Sequence, residues 1–200
     1  MARNVVRKLA DRLPKAKVAF AQLSKKDVLV GVPREDAQRK KLPDEPKQSM
    51  NNATLAYIHD NGSPAAHIPA RPFMRPGVEA VKALIIDRFK RSAQGAVSLK
   101  PGADPKIEQT LHAVGLVTQA SIRKTIGQGI PPPLAPSTIA QRFRQRGTKS
   151  RRKAELKYMD LVASGVDEAQ AQSDANIVAL VNTGQLRNSI NYVIREKGSK

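Results

Sequence analysis

The chain has 200 residues, no cysteine and no tryptophan, and is 40% hydrophobic with only 4% aromatic residues. Lys and Arg total 35 against 17 Asp and Glu, a formal +18; such an excess favours a polyanionic partner, with nucleic acid, an acidic membrane surface and an acidic protein as the candidates. Without cysteine, disulfides, thiol nucleophiles and thiolate metal sites are excluded, and no run approaches the ~20 apolar residues of a membrane span.

The opening Met1-Ala2-Arg3-Asn4-Val5 has no secretory pattern, so the expectation is a chain made and folded in a cytosol. Residues 2–24 read as helix: Val6, Leu9, Leu13, Ala16, Phe20 and Leu23 form one apolar stripe, with Pro14 as a kink or a second start. Ordinary core packing explains that stripe better than a coiled coil, because it is short. Val28-Leu29-Val30-Gly31-Val32, stopped by Pro33, predicts a strand. Residues 34–51 carry Pro43, Pro46 and many charges and read as an exposed loop. Leu55 and Ile58 mark a short helix ending at Asn61-Gly62, where glycine can take the left-handed cap conformation.

Three prolines between residues 69 and 76 force an extended course through Ile68-Pro69-Ala70-Arg71-Pro72-Phe73-Met74-Arg75-Pro76. Pro76 then suits the first position of a helix faced by Val78, Val81, Ile85 and Phe89. Leu84 and Ile86 widen that face, which predicts burial on more than one side, by core or by a neighbouring subunit. Asp104-Pro105 marks another helix start, with Ile107, Leu111, Val114, Ile122 and Ile126 as its stripe and Gly127-Gln128-Gly129 as its end. Pro131-Pro132-Pro133 reads as a stiff linker, and Ser137 or Thr138 as the cap of a short helix through Phe143.

From Arg142 to Lys157 eight cations face one acid, Glu155. Residues 158–176 are polar and alanine-rich, so 145–176 reads as an inserted arm, partly helical and poorly packed, on a single domain spanning 1–200. A turn of helix through Leu180–Arg187 and a strand over Ile190–Ile194 close the chain.

Chemistry-bearing constellations are scarce. His59 and His67 lie close together but fit no zinc or two-metal spacing. No serine has nucleophile-elbow context, and Gly127-Gln128-Gly129 lacks the third glycine and preceding strand of a phosphate cradle. The expectation is a non-enzymatic chain without cofactor or metal. The basic stretch is the strong physical signal: Arg142, Arg144, Arg146, Arg151, Arg152 and Lys153 are the candidate contacts to DNA phosphates or to an acidic partner, with a solvated segment as the plain alternative.

Three segments carry a family resemblance. Leu55-Ala56-Tyr57-Ile58-His59-Asp60-Asn61-Gly62-Ser63 followed by Ile68–Pro76 resembles the hallmark of phage tail-completion and neck proteins, including the Mu-like virion-morphogenesis proteins. Pro133-Leu134 with Ser137-Thr138-Ile139, and Leu180 with Thr183-Gly184-Gln185-Leu186-Arg187-Asn188-Ser189-Ile190, resemble a second and a third family segment. Together they span about a fifth of the chain. Asp60-Asn61 departs from the acidic-aromatic pair usual before the glycine, and the basic arm is longer than the family pattern.

The resemblance implies an α+β fold, helices packed on a small, mostly antiparallel sheet. It implies a structural virion protein of the head-to-tail junction, assembled in the host cytoplasm as a homo-oligomeric ring of about six copies, with about twelve the alternative. Portal or adaptor proteins, tail-terminator or tail-tube proteins, and the double-stranded DNA in the lumen would be its partners; no membrane is implied. Pro69, Arg71, Pro72, Phe73, Arg75, Thr183, Gly184 and Leu186 would form the structural and assembly motif. Within it Phe73 is the expected buried anchor, and Arg71 and Arg75 are expected to stay free to pair with acids. Tail terminator, head-closure or collar protein are the alternatives within the neck, and a free non-specific nucleic-acid-binding protein lies outside it.

Overall fold

The computed structural model describes residues 24–39, 50–97, 107–145 and 148–198, with positions 14, 17, 18 and 21. Of the helix expected over 2–24, the described positions 14, 17, 18, 21 and 24 are helical; its other residues, residues 40–49 of the expected loop, the Asp104-Pro105 start and Arg146 lie outside the described residues. Among the described residues, eight α-helices accompany one two-stranded antiparallel sheet, an α+β architecture. The strands are β1 (Lys26–Gly31) and β2 (Asn191–Glu196). The helices are α1 (Asn52–Asn61), α2 (Met74–Glu79), α3 (Lys82–Val97) and α4 (Ile107–Gly127), then α5 (Pro136–Arg144), α6 (Lys149–Ala163), α7 (Glu168–Asp174) and α8 (Gln185–Ser189). No described helix is long and apolar enough to cross a membrane.

Two compact units divide the chain. The first takes the described parts of Met1–Val30, Val78–Ala120 and Tyr192–Lys200. Its sheet alternates as period-2 patterning demands: Val28 and Ile194 pack with Phe89 against buried Ile107 and Leu111, while Leu29 and Val193 are exposed. Lys26 bonds the Glu108 carboxylate, and His112 Nδ1 meets the Tyr192 hydroxyl at 3.0 Å. Leu84 and Ile86 of α3 remain 42% and 45% exposed within the chain, so its wide apolar face is only partly covered here.

The second unit is Gly31–Gly77 and Ser121–Asn191. Gly62 ends α1 at φ 79°, ψ 172°, backbone that only glycine adopts readily; a Cβ there would stand 2.8 Å from the Ala70 nitrogen. The following extended strap then enters α2 two residues earlier than Pro76 would dictate. Asp60 Oδ1 accepts from the backbone N–H of Phe73 (2.7 Å) and Met74 (2.9 Å), so the helix starts at Met74. Pro76 occupies the third position, where its missing N–H costs no helical bond. Gly77 lies against Ile122 so closely that a Cβ would meet the Ile122 Cα at 2.8 Å. The helix expected to run on from Pro76 breaks after Glu79 and resumes as α3.

Neither Ser137 nor Thr138 caps α5; Ala135 is the cap residue, without a side-chain bond, and Pro136 takes the first turn. The described part of 145–176 is partly helical, as expected, in α6 and α7, but it is not poorly packed. Tyr158, Ala171 and Ala175 join Leu134 and Ile139 in one buried cluster. Composition hid this because α7 packs through alanines, whose small side chains permit close approach, and through one glutamine. Gln172 Oε1 accepts from Leu134 N at 2.8 Å and its Nε2 donates to Leu134 O at 2.7 Å, pairing a buried strap as a neighbouring strand would.

Candidate functional site

The second unit holds a cleft of about 410 Å³. Its walls come from α1 and the strap (Leu55, His59, His67, Ile68, Pro69, Arg71), from Pro133 to Thr138 with Arg142, and from Ala179 to Leu186. The three segments that carry the family resemblance, far apart in sequence, thus converge on one concavity.

Guanidinium groups on backbone carbonyls hold this convergence. Arg71, 5% exposed, donates from Nε (3.0 Å) and Nη2 (2.8 Å) to Pro132 O, and from Nη2 to Pro133 O at 3.2 Å. Its own N–H donates to His59 O at 2.8 Å. The strap is therefore tied to α1 on one side and to the Pro132-Pro133 segment on the other. Arg71 is an internal tie rather than a free cation; burial lowers its pKa. Arg75 is exposed, as expected, and so are Pro69, Pro72 and Thr183, while Gly184 and Leu186 are half-buried. Phe73 is fully buried.

Arg142 and Arg123 act in the same way. Arg142 donates to Ala179 O (2.6 Å) and Val178 O (3.4 Å), fixing the start of the third segment. Arg123 donates to Ile190 O (2.7 and 3.1 Å) and Asn188 O (3.0 Å), fixing its end. Burial is the largest influence on Arg142 and Glu155 opposes it; with repulsion from Arg151 and Arg71 added, its pKa falls to about 10. Arg142 remains a cation at neutral pH.

The basic stretch divides accordingly. Arg151 bonds Asn182 Oδ1 (2.6 Å), Arg142 O (2.6 Å) and Gln145 O (2.9 Å), and its Nε lies 3.2 Å from Glu155 Oε1. The pair is nearly enclosed, with side chains 9% and 2% exposed. Burial raises the Glu155 pKa against the pull of Arg151, Arg142 and Arg152. The guanidinium groups of Arg142 and Arg151 are thus engaged within the fold, on main-chain carbonyls and, for Arg151, beside Glu155. A sixteen-residue count of cations cannot see that folded carbonyls and one buried carboxylate consume two of them. Arg144, Arg152 and Lys153 are exposed; Arg152 lies 5.4 Å from the centre of the Phe143 ring.

His59 is half-buried in the cleft wall, and its Nδ1 makes no hydrogen bond among the described residues. Burial first, then the charges of Arg71 and Arg142, lower its pKa, so the ring is neutral at pH 7. The described residues include no group of three or more His, Cys, Asp or Glu able to hold a metal ion. Asp60, Arg123, Gln172 and Glu155 organise this unit, yet nothing local in the sequence marks them; their partners lie between four and 67 residues away.

No protein-family model, curated protein or solved structure matches this chain.

Proposed function

We propose that this chain is a structural, non-catalytic subunit of the head-to-tail junction of a tailed bacteriophage, a ring-forming neck or tail-completion protein through which the genome passes. The observation that carries the reading is the convergence of its three family-like segments on one cleft, each tied by an arginine to main-chain carbonyls. Segments that merely resembled a pattern by chance would have no reason to meet. The polar groups of this unit are engaged in holding backbone: Arg71, Arg123 and Arg142 on carbonyls, Asp60 on two N–H groups. That is a scaffold's use of charge. Tail terminator, head-closure protein and collar element are variants of the same reading.

Deleting the gene from the phage that carries it tests the proposal. The expected result is an accumulation of DNA-filled heads and separate, complete tails, with the protein present at the junction of wild-type particles. Normal infectious particles from the deletion would overturn it. A free nucleic-acid-binding protein is the second reading, favoured by exposed Arg144, Arg152 and Lys153 in a chain of net charge +18; it predicts tight, sequence-blind binding by the monomer.

A further inference from the structure

One face of α6 is left open. Spacings of three and four residues bring Lys149, Arg152, Lys153, Leu156, Asp160 and Ala163 to the same side of the helix, and all six are exposed. The opposite side is inward, with Glu155 and Tyr158 buried. Lys157 is turned aside from the open face, its Nζ donating to Asp174 O at 2.6 Å. Leu156, 48% exposed, stands at the midpoint of the helix and at the centre of the stripe. Lys149, Arg152, Lys153 and Asp160 form no ion pair with a described residue.

The order of charge along this stripe selects its occupant. The cations all precede Leu156; Asp160 follows it, and no Lys, Arg or His occurs between Lys157 and Arg187. A DNA strand laid along the face would find phosphate contacts at one end only. At the centre Leu156 offers a polyanion nothing, and beyond it Asp160 repels. A second α6 laid antiparallel matches the stripe throughout. With Leu156 of one copy against Leu156 of the other, each position beyond it faces the position equally far before it on the other helix. Asp160 then meets Arg152, with Lys153 beside it, and Ala163 meets the aliphatic stem of Lys149. Antiparallel placement also opposes the two helix dipoles.

We propose that α6 pairs antiparallel with α6 of a second copy of this chain, about a two-fold axis at Leu156. Each leucine leaves water against its counterpart, and the meeting of Asp160 with Arg152 and Lys153 occurs twice. The contact is isologous: the same patch serves both copies and the pair closes on itself. It is therefore distinct from the head-to-tail contact that a ring requires, and it stands whether or not the chain forms one. A single helix face is a small interface, so the pair is transient.

Cross-linking tests the register. The chain has no cysteine, so an introduced thiol can match only the same thiol on another copy. A short bis-maleimide should link Leu156→Cys chains into dimers about tenfold faster than it links Lys149→Cys or Ala163→Cys chains, whose thiols face away from their own counterparts. A mixture of those two should link as heterodimers. Charge reversal tests the pairing, by sedimentation velocity at about 0.15 M salt, where a Debye length of about 8 Å screens the long-range repulsion of two basic chains but not charges in contact. Asp160→Arg, and separately Arg152→Glu with Lys153→Glu, should weaken association about tenfold, and an equimolar mixture of the two variants should regain it. Asp160→Asn should weaken association with the melting temperature unchanged, which separates lost contact from lost fold. A wild-type chain that stays monomeric, thiols at 156 that link no faster than those at 149 or 163, or a charge-reversed mixture that stays dissociated would overturn the proposal. The neck reading fails independently, through normal particles from the gene deletion.

Discussion

Asp60 caps a helix that begins at Met74: one carboxylate oxygen accepts from the N–H groups of both Phe73 and Met74, at 2.7 and 2.9 Å. The end of α1 is thereby fastened to the start of α2 across the strap. An aspartate so placed satisfies two donors that no helical carbonyl can reach and puts negative charge at the helix N-terminus. Asp60→Ala should destabilise the chain by about 0.5–2 kcal/mol, as loss of a capping side chain does elsewhere, and Asp60→Asn by less. Urea unfolding midpoints measure both; equal midpoints for Ala and wild type would show that the cap contributes nothing.

Phe73 follows from the same geometry. It is one of four phenylalanines in a chain without tryptophan and is fully buried. Phe73→Ala should cost about 3–5 kcal/mol, by lost transfer energy and the cavity left behind. Phe73→Leu should recover much of that. A melting temperature unchanged by the alanine would contradict its role as anchor.

Much of this architecture is legible in the sequence, for physical reasons that differ by element. The stripe of Ile107, Leu111, Val114, Ile122 and Ile126 is buried along its length because helical periodicity is local and survives tertiary context. Gly62 ends α1 because its backbone conformation excludes other residues. Pro76 was misleading: proline suits the first helical position, but a carboxylate thirteen residues upstream of Phe73 sets the start earlier. The packing of 145–176 was hidden because alanine and glutamine are weak hydrophobic signals, and their burial here depends on Tyr158 and Leu134. Arg71 illustrates the deepest limit. Its charge is plain in the sequence, but whether a guanidinium faces solvent or two carbonyls more than sixty residues away is a property of the fold alone.

Arg151 and Glu155, one helical turn apart in α6, form an enclosed pair. Removing one partner of such a pair leaves the other charge buried without compensation. Arg151→Met should therefore cost about 3–5 kcal/mol. The double variant Arg151→Met with Glu155→Leu should recover part of it. Full recovery is not expected, because Arg151 also holds Asn182 and the carbonyls of Arg142 and Gln145. A double-mutant cycle on urea midpoints reads the coupling; additivity of the two single variants would mean that the charges do not sense one another.

His59 gives the chain a pH dependence of defined sign. Its pKa in the folded chain lies below the usual 6.5, so the unfolded chain binds that proton more readily. The stability contributed by the neutral ring is full above 6.5 and is lost as pH falls through 6.5 toward the folded value. Glu155, whose pKa is raised, works in the opposite direction, but it is common to wild type and a His59 variant. Melting temperatures compared at about pH 7.5 and about pH 5.5 should fall more for wild type than for His59→Gln. Equal falls would mean that the imidazole is no more reluctant to charge when folded than when unfolded.

The basic stretch yields a division that sequence alone does not make. Arg142 and Arg151 hold backbone carbonyls, whereas Arg144, Arg152 and Lys153 are exposed. Phosphate contacts release counterions, so log affinity for DNA falls with log salt by roughly one unit of slope for each phosphate neutralised. Replacing Arg144, Arg152 and Lys153 together by Ala should then lower the slope by up to about three units, without changing any sequence preference. Stability should change by less than about 1 kcal/mol, the contact of Arg152 with the Phe143 ring being the main loss. Arg142→Ala and Arg151→Ala should do the reverse, lowering the melting temperature while leaving the slope of the still-folded protein near that of wild type. Fluorescence anisotropy with duplex DNA at several salt concentrations, paired with thermal unfolding, measures both quantities. If the triple variant keeps the wild-type slope, the exposed cations do not meet phosphate, and the charge of this segment serves contact with protein neighbours instead.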